Sequence, residues 1–453
     1  MWTSCVSPRW RASALAALVA ALSGCGGGTT SVTTITGLGS GAGASVVSSN
    51  LPSAANATPI TVDAGPASAF SVAVNAPYVT VTVCAPGSTN ACATIDHVLL
   101  DTGSIGLRVL RSAVIALGLP AVTLPANAAT GAAGGAAAEC YLFVLGGLWG
   151  PVVNADVRIA DELAPAIPIQ LIDDAPTPLN KVPPDCSAAS NGALSASAAS
   201  LQANGILGVG MVAYDCGLAC ATGQYPSGMA VPYYACTGGA ASVCTPAAVD
   251  TTLQTQNPVA RFAKDNNGTI ITLPALPSVG AGVAQGLLTF GIGTQANNQL
   301  PATAQHYYVG SDSNDMTNYL NVLTTSGGTA YANSYIDSGT NAIFFNDTSI
   351  PGCQTSGGSS GGWYCPSTTL SRTATISDHP APTLPVASTL VGYMIANADA
   401  LFSTSGAAFS DLAGTVPMDA SSFVWGLSFF YGRSVATSIW GQTGSASGPW
   451  YAF

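Results

Sequence analysis

Two short stretches of this chain carry the same residue types in the same order. The first is Val98-Leu99-Leu100-Asp101-Thr102-Gly103-Ser104, and the second is Ser334-Tyr335-Ile336-Asp337-Ser338-Gly339-Thr340. In each, apolar residues run into an aspartate, then a hydroxyl residue, a glycine and a second hydroxyl residue. A single D-[ST]-G-[ST] element is a weak pattern, because any acidic turn after a strand can produce it. Two of them, each behind a strand-like run, point to a pair of carboxyl groups sharing one proton. Carboxyls about 3 Å apart cannot both ionise cheaply, so one keeps its proton. The ionised member can then take a proton from water while the protonated member polarises a carbonyl. Asp101 and Asp337 are the candidate catalytic residues, with Thr102, Gly103, Ser104, Ser338, Gly339 and Thr340 in support. Gly103 and Gly339 are expected to let the backbone turn tightly beside each carboxylate. The hydroxyls of Ser104 and Thr340 are expected to donate to it.

The elements that must position these loops read mostly as strands. Val- and Thr-rich runs recur between Gly, Pro, Asn and Asp turns: Phe70–Val74, Tyr78–Val83, Val98–Leu100, Tyr141–Leu145, Val152–Ile159, Thr269–Leu273, Leu287–Phe290 and Ile343–Phe345. Helical signals are short, at Arg111–Leu117, Pro258–Lys264 and Leu390–Ala398. The pattern predicts a mostly β protein with a few small helices. We place a first lobe at 57–280 and a second at 281–453, one aspartate in each. Residues 211–250, with four Cys and four Tyr, read as a disulfide-pinned surface insertion in the first lobe.

Further segments follow the same plan, and together they resemble the pepsin-like aspartic peptidases. Asn204-Gly205-Ile206-Leu207-Gly208-Val209-Gly210 follows the first motif and Phe423-Val424-Trp425-Gly426 the second, where that family threads an apolar-apolar-Gly triplet behind each active loop. Pro77-Tyr78-Val79-Thr80-Val81-Thr82-Val83 looks like its first hairpin strand, and Gly286-Leu287-Leu288-Thr289-Phe290-Gly291 like the strand opening its second lobe. The resemblance implies a bilobal double-β-barrel and water-mediated peptide hydrolysis, with no cofactor or metal. It also implies a flap hairpin over the substrate, for which Tyr141, Val144 and Trp149 are the candidates. Arg108 stands where that family usually has an aromatic residue. The alternative is a weakly active or inactive scaffold of this kind, serving as an envelope binding or inhibitory protein, since fold does not fix function.

The N-terminal 24 residues read as a signal peptide, with Arg9 and Arg11 ahead of an apolar run too short to span a bilayer. Leu22-Ser23-Gly24-Cys25 resembles a bacterial lipobox, which would make Cys25 the lipid-carrying first residue, and Gly26 after it favours the outer membrane. Residues 25–56 are Gly, Ser, Thr and Ala with almost no charge and read as a flexible tether. Ten basic against 21 acidic residues exclude a nucleic-acid footprint. A monomer acting on a peptide or protein substrate, and touching the membrane only through its lipid, is expected.

Of twelve Cys, Cys5 leaves with the signal and Cys25 takes lipid, so ten remain in an export context, an even number that implies disulfides. Close spacing pairs Cys84 with Cys92, Cys236 with Cys244 and Cys353 with Cys365. The connectivity of Cys140, Cys186, Cys216 and Cys220 stays open, Cys140–Cys186 and Cys216–Cys220 being one assignment. Zinc is disfavoured, because no CxxC occurs and His97, His306 and His379 are scattered. Gly357-Gly358-Ser359-Ser360-Gly361 fits a nucleophile-elbow pattern but lies in a Ser/Gly run without the strand and helix that motif needs. In a native host, the mature protein is expected to begin at Cys25 with acyl groups attached, and Cys25→Ser to move it from the membrane to the soluble fraction. Intact-mass spectrometry and fractionation check this; an unmodified N-terminus elsewhere contradicts it.

Overall fold

The computed structural model describes residues 30–34, 45–49, 53–69, 72–126, 134–143, 146–174, 181–190, 192–223, 231–237, 243–310, 321–353, 362–379, 387–416, 420–442 and 449–453. Among the described residues the fold is mostly β, with 46% strand against 12% helix, and its sheets curl into closed and nearly closed barrels. The β-branched runs account for this, since their side chains pack well on a pleated, half-buried surface. Among the described residues no helix is long and apolar enough to cross a membrane.

Asp101 ends one strand and Asp337 directly follows another, and the same local topology surrounds both. Strand Cys92–Asp101 lies parallel to Gly205–Val209, with Gly205 beside Val98 and Gly208 beside Asp101. Gly205–Val209 in turn runs antiparallel to Ile105–Leu110, the strand that leaves the first loop. In the second half, Thr329–Ile336 lies parallel to Ser422–Trp425, which runs antiparallel to Ile343–Phe344. Both triplets therefore thread between the strand entering an aspartate loop and the strand leaving it.

The 280/281 boundary cuts through one shared sheet. Strand Val283–Phe290 pairs with Gly268–Thr272 and with Ala57–Val62, and Gly268–Thr272 pairs with Ser434–Ser438. Start, middle and end of the domain are thus knitted together. Residues in the expected tether join as well: Thr30–Thr34 pairs with Ser45–Ser49, which lies parallel to Val283–Gln285. Thr and Val there offered strand residues to an open edge, and Val47 is buried.

Further expectations change. Leu390–Ala398 is not a helix; Ser388–Ile395 is an edge strand whose residues alternate between exposed and buried, a period of two rather than 3.6. Pro258–Lys264 holds only a 3-10 turn at Val259–Arg261, and Arg111–Leu117 is one α turn followed by one 3-10 turn. Phe70 lies outside the described residues, and 72–74 is not a strand. The 211–250 segment carries two of its expected disulfides, and part of it is built into the sheet: Tyr233–Thr237 pairs with Gly135–Phe143, and Tyr233 and Tyr234 are fully buried. Its aromatic residues complete a core, which the Cys and Gly content alone did not reveal.

Among the described residues five disulfides form: Cys84–Cys92, Cys140–Cys186, Cys216–Cys220, Cys236–Cys244 and Cys353–Cys365. The widest spans 46 residues, so the other four staple local loops rather than distant parts of the chain. Long-range cohesion comes instead from groups such as Asn75, fully buried in the left-handed region that Asn tolerates. Its amide donates to the carbonyls of Asn341 and Phe409, both at 2.8 Å, and its Oδ1 accepts from Phe409 N–H at 2.7 Å and Tyr431 Oη at 2.9 Å. Asn75→Ala removes these bonds and leaves buried groups unpaired. It is expected to destabilise by about 3 kcal/mol or more, read as a lower midpoint in chemical denaturation; an unchanged midpoint contradicts this role.

Candidate carboxyl-dyad site

The two aspartate loops interlock by four hydrogen bonds related by an approximate two-fold. Thr102 N–H donates to Ser338 Oγ at 3.1 Å, and Ser338 N–H donates to Thr102 Oγ1 at 2.9 Å. Ser338 Oγ then donates to Leu100 O at 2.8 Å, and Thr102 Oγ1 to Ile336 O at 3.4 Å. Each hydroxyl both accepts from the opposite loop and donates to the strand opposite, so neither loop can shift alone.

Around each carboxylate the contacts repeat. Gly103 N–H and Ser104 Oγ donate to Asp101 at 2.8 and 2.5 Å, and Gly339 N–H and Thr340 Oγ1 donate to Asp337 at 2.8 and 2.6 Å. The glycines act differently from the sequence expectation. Neither has a left-handed backbone, so turn strain is not the reason for them. A Cβ on Gly103 would lie 2.6 Å from Asp337 Cγ, and one on Gly339 2.5 Å from Asp101 Oδ1. Glycine is needed because each carboxyl rests on the opposite loop's α-carbon.

Both aspartates are buried, at 6% and 8% exposure, beneath an exposed Gly103. Burial, then the charge of Asp337, pushes the Asp101 carboxyl up to about 8, although its bonds from Ser104 and Gly103 oppose the shift. An Asp337 hydrogen bond is a further cause of the rise, so the two carboxyls are within hydrogen-bonding reach. The pair retains one proton across the neutral range, and an ionised carboxylate beside a protonated carboxyl is an acid–base couple.

We compared the chain with known proteins. Residues 52–453 match the family described as protein of unknown function, DUF3443. The chain belongs to that family. No curated protein matches it. The family match overturns the pepsin-like assignment, which rested on short motifs; local loops of this kind specify a carboxyl arrangement but not a lineage.

The structure brings all eight dyad and supporting residues into one site. The flap candidates separate. Trp149 is buried away from the dyad, edge-on to Tyr234 at 5.3 Å and packed with the Cys140–Cys186 and Cys236–Cys244 staples, so it is core. Val144 lies outside the described residues, as does Cys25. Tyr141 alone stays beside the site: its ring lies 3.5 Å from the Arg108 guanidinium carbon, and the Asp101 charge is among the causes that raise its phenol. His97 sits between Asp63 and Asp96, away from both loops. The closest grouping of metal-ligand types among the described residues, Cys353, Cys365 and Asp399, has both sulfurs in a disulfide.

Sequence reasoning passed over Tyr451, a buried tyrosine that feels the Asp337 charge. It also passed over Glu139 and Asp215, which flank Arg108. A signal existed for Glu139, a single charge inside an apolar run of a chain that has only 7% charged residues.

Folded Asp101 holds its proton up to about 8, whereas the unfolded chain releases it near 4. Between these values the folded state binds more protons, so stability falls as pH rises through that window. Asp101→Asn is neutral throughout. It is expected to flatten the decline and to exceed wild type at pH 7 by roughly 2 kcal/mol. Calorimetry from pH 4 to 8 checks this; parallel curves contradict it.

Proposed function

We propose that this chain is an aspartic-type endopeptidase, in which Asp101 and Asp337 activate one water against a peptide carbonyl. The observation that carries the reading is the interlock of two like loops, each holding a buried carboxyl on the other's glycine. Cys92–Asp101 and Thr329–Ile336 belong to two separate sheets, and we read these as two lobes, each supplying one half of the site. The ionised carboxylate takes a proton from water as its oxygen bonds to the carbonyl carbon. The protonated carboxyl, Asp101, donates to the carbonyl oxygen. The tetrahedral species then breaks its C–N bond as the amine leaves with a proton. No covalent intermediate forms, which suits a site whose nucleophile is water.

Export fits the same reading. Five disulfides suit an oxidising compartment, and a lipid on Cys25 would hold the domain at the outer membrane, facing peptide or protein substrates.

Wild type is expected to cleave members of a peptide library over a bell-shaped pH range, the alkaline limb following loss of the shared proton near 8. Asp101→Asn and Asp337→Asn are each expected to lower kcat by roughly 10²–10⁴-fold or more with the fold retained. Should wild type cleave nothing between pH 2 and 9, while both Asn variants bind a partner as it does, the binding-scaffold alternative takes over.

A further inference from the structure

A second pair of carboxyls lies behind the first. Arg108, in the strand that leaves the Asp101 loop, donates through Nη2 to Glu139 Oε1 at 2.6 Å and to Asp215 Oδ2 at 2.9 Å, and all three side chains are at most 1% exposed. Thr255 Oγ1 donates to the other Glu139 oxygen at 2.8 Å, and Tyr233 Oη to the other Asp215 oxygen at 2.7 Å. Tyr233 Oη is itself held by Thr255 N–H at 2.7 Å. Every carboxyl oxygen is engaged, yet two acids face one cation. Were both ionised, a net negative charge would sit buried without a partner, an arrangement strongly disfavoured in an apolar interior.

One proton held between the two acids makes the cluster neutral. Burial, then the Glu139 charge, pushes the Asp215 carboxyl well above its ordinary range, in keeping with that count. The free face of the Arg108 guanidinium lies under the Tyr141 ring at 3.5 Å, a cation–π contact on a strand otherwise held by Tyr233–Thr237 and the Cys140–Cys186 bridge. Tyr141 in turn lies within electrostatic reach of Asp101.

We propose that Arg108, Glu139 and Asp215 form a buried, proton-sharing brace that positions Tyr141 beside the dyad. Its bearing on substrate rests on the peptidase reading; the brace itself does not. The groups facing Arg108 are Glu139, Asp215 and Tyr141, backed by Tyr233 and Thr255, with Asp101 beyond the ring. Because one acid is already uncharged, either can be made permanently neutral without unpairing Arg108. Removing both cannot be tolerated.

The test is amide hydrogen exchange over residues 135–143 of the full chain, for wild type, Glu139→Gln, Asp215→Asn, the double variant and Arg108→Lys. Each single amide variant is expected to stay within threefold of wild type. The double variant is expected to exchange at least tenfold faster. So is Arg108→Lys, which keeps the charge but lacks the planar face; it carries the test if the double variant does not fold. On a peptide substrate, Arg108→Lys should raise KM at least tenfold with a smaller change in kcat. Single variants as loose as the double would show two ionised acids and overturn the proton sharing. An unchanged hairpin in Arg108→Lys would overturn the brace. Absence of any peptide cleavage would remove only the peptidase reading, since exchange needs no turnover.

Discussion

The rest of the molecule is built around the unfavourable closeness of two buried carboxyl groups. Asp101 and Asp337 repel when both are charged and lose solvation when either is, so nothing intrinsic to them favours their meeting. They are held by what surrounds them: the Thr102–Ser338 exchange of hydrogen bonds, two bare glycine α-carbons and a pair of strand triplets locked beneath. Strain of this sort persists only where the scaffold over-determines the geometry. Here the scaffold includes a sheet that draws strands from the beginning, middle and end of the domain, and the loops themselves are tied to each other's entering strands by the hydroxyls of Thr102 and Ser338.

A charge-poor chain makes each buried charge informative. Where acids are buried near the site, they occur in twos: Asp101 with Asp337, and Glu139 with Asp215. Each pair relieves its repulsion by a proton, the second with an arginine as well. Asn75, a neutral buried polar group, is satisfied in a different manner. Asn75 uses both ends of its amide to join segments more than 260 residues apart, an arrangement no ion pair could match without a larger desolvation penalty.

The hairpin that carries Tyr141 is stiffened on several sides. Its first strand pairs with Tyr233–Thr237, a disulfide ties it to the helix Pro184–Ala189, and Trp149 packs beneath it. A strand held in this way suits fixed placement of a side chain better than wide opening and closing. The family match covers nearly the whole domain, hairpin and insertion included.

Much of this was legible in the residues themselves. Local patterns depend on neighbours in sequence, so the two D-[ST]-G-[ST] loops, the strands before them, the mostly β class and the short-range cysteine pairs could be read without coordinates. The edge strand Ser388–Ile395 shows the limit, since its short apolar run suits either period until burial selects one. The use of Gly103 and Gly339, the exclusion of Trp149, and the meeting of Arg108 with Glu139 and Asp215 were decided only by tertiary structure. Each depends on atoms brought together from distant parts of the chain, and no spacing along the sequence encodes which carboxyl will rest on which glycine.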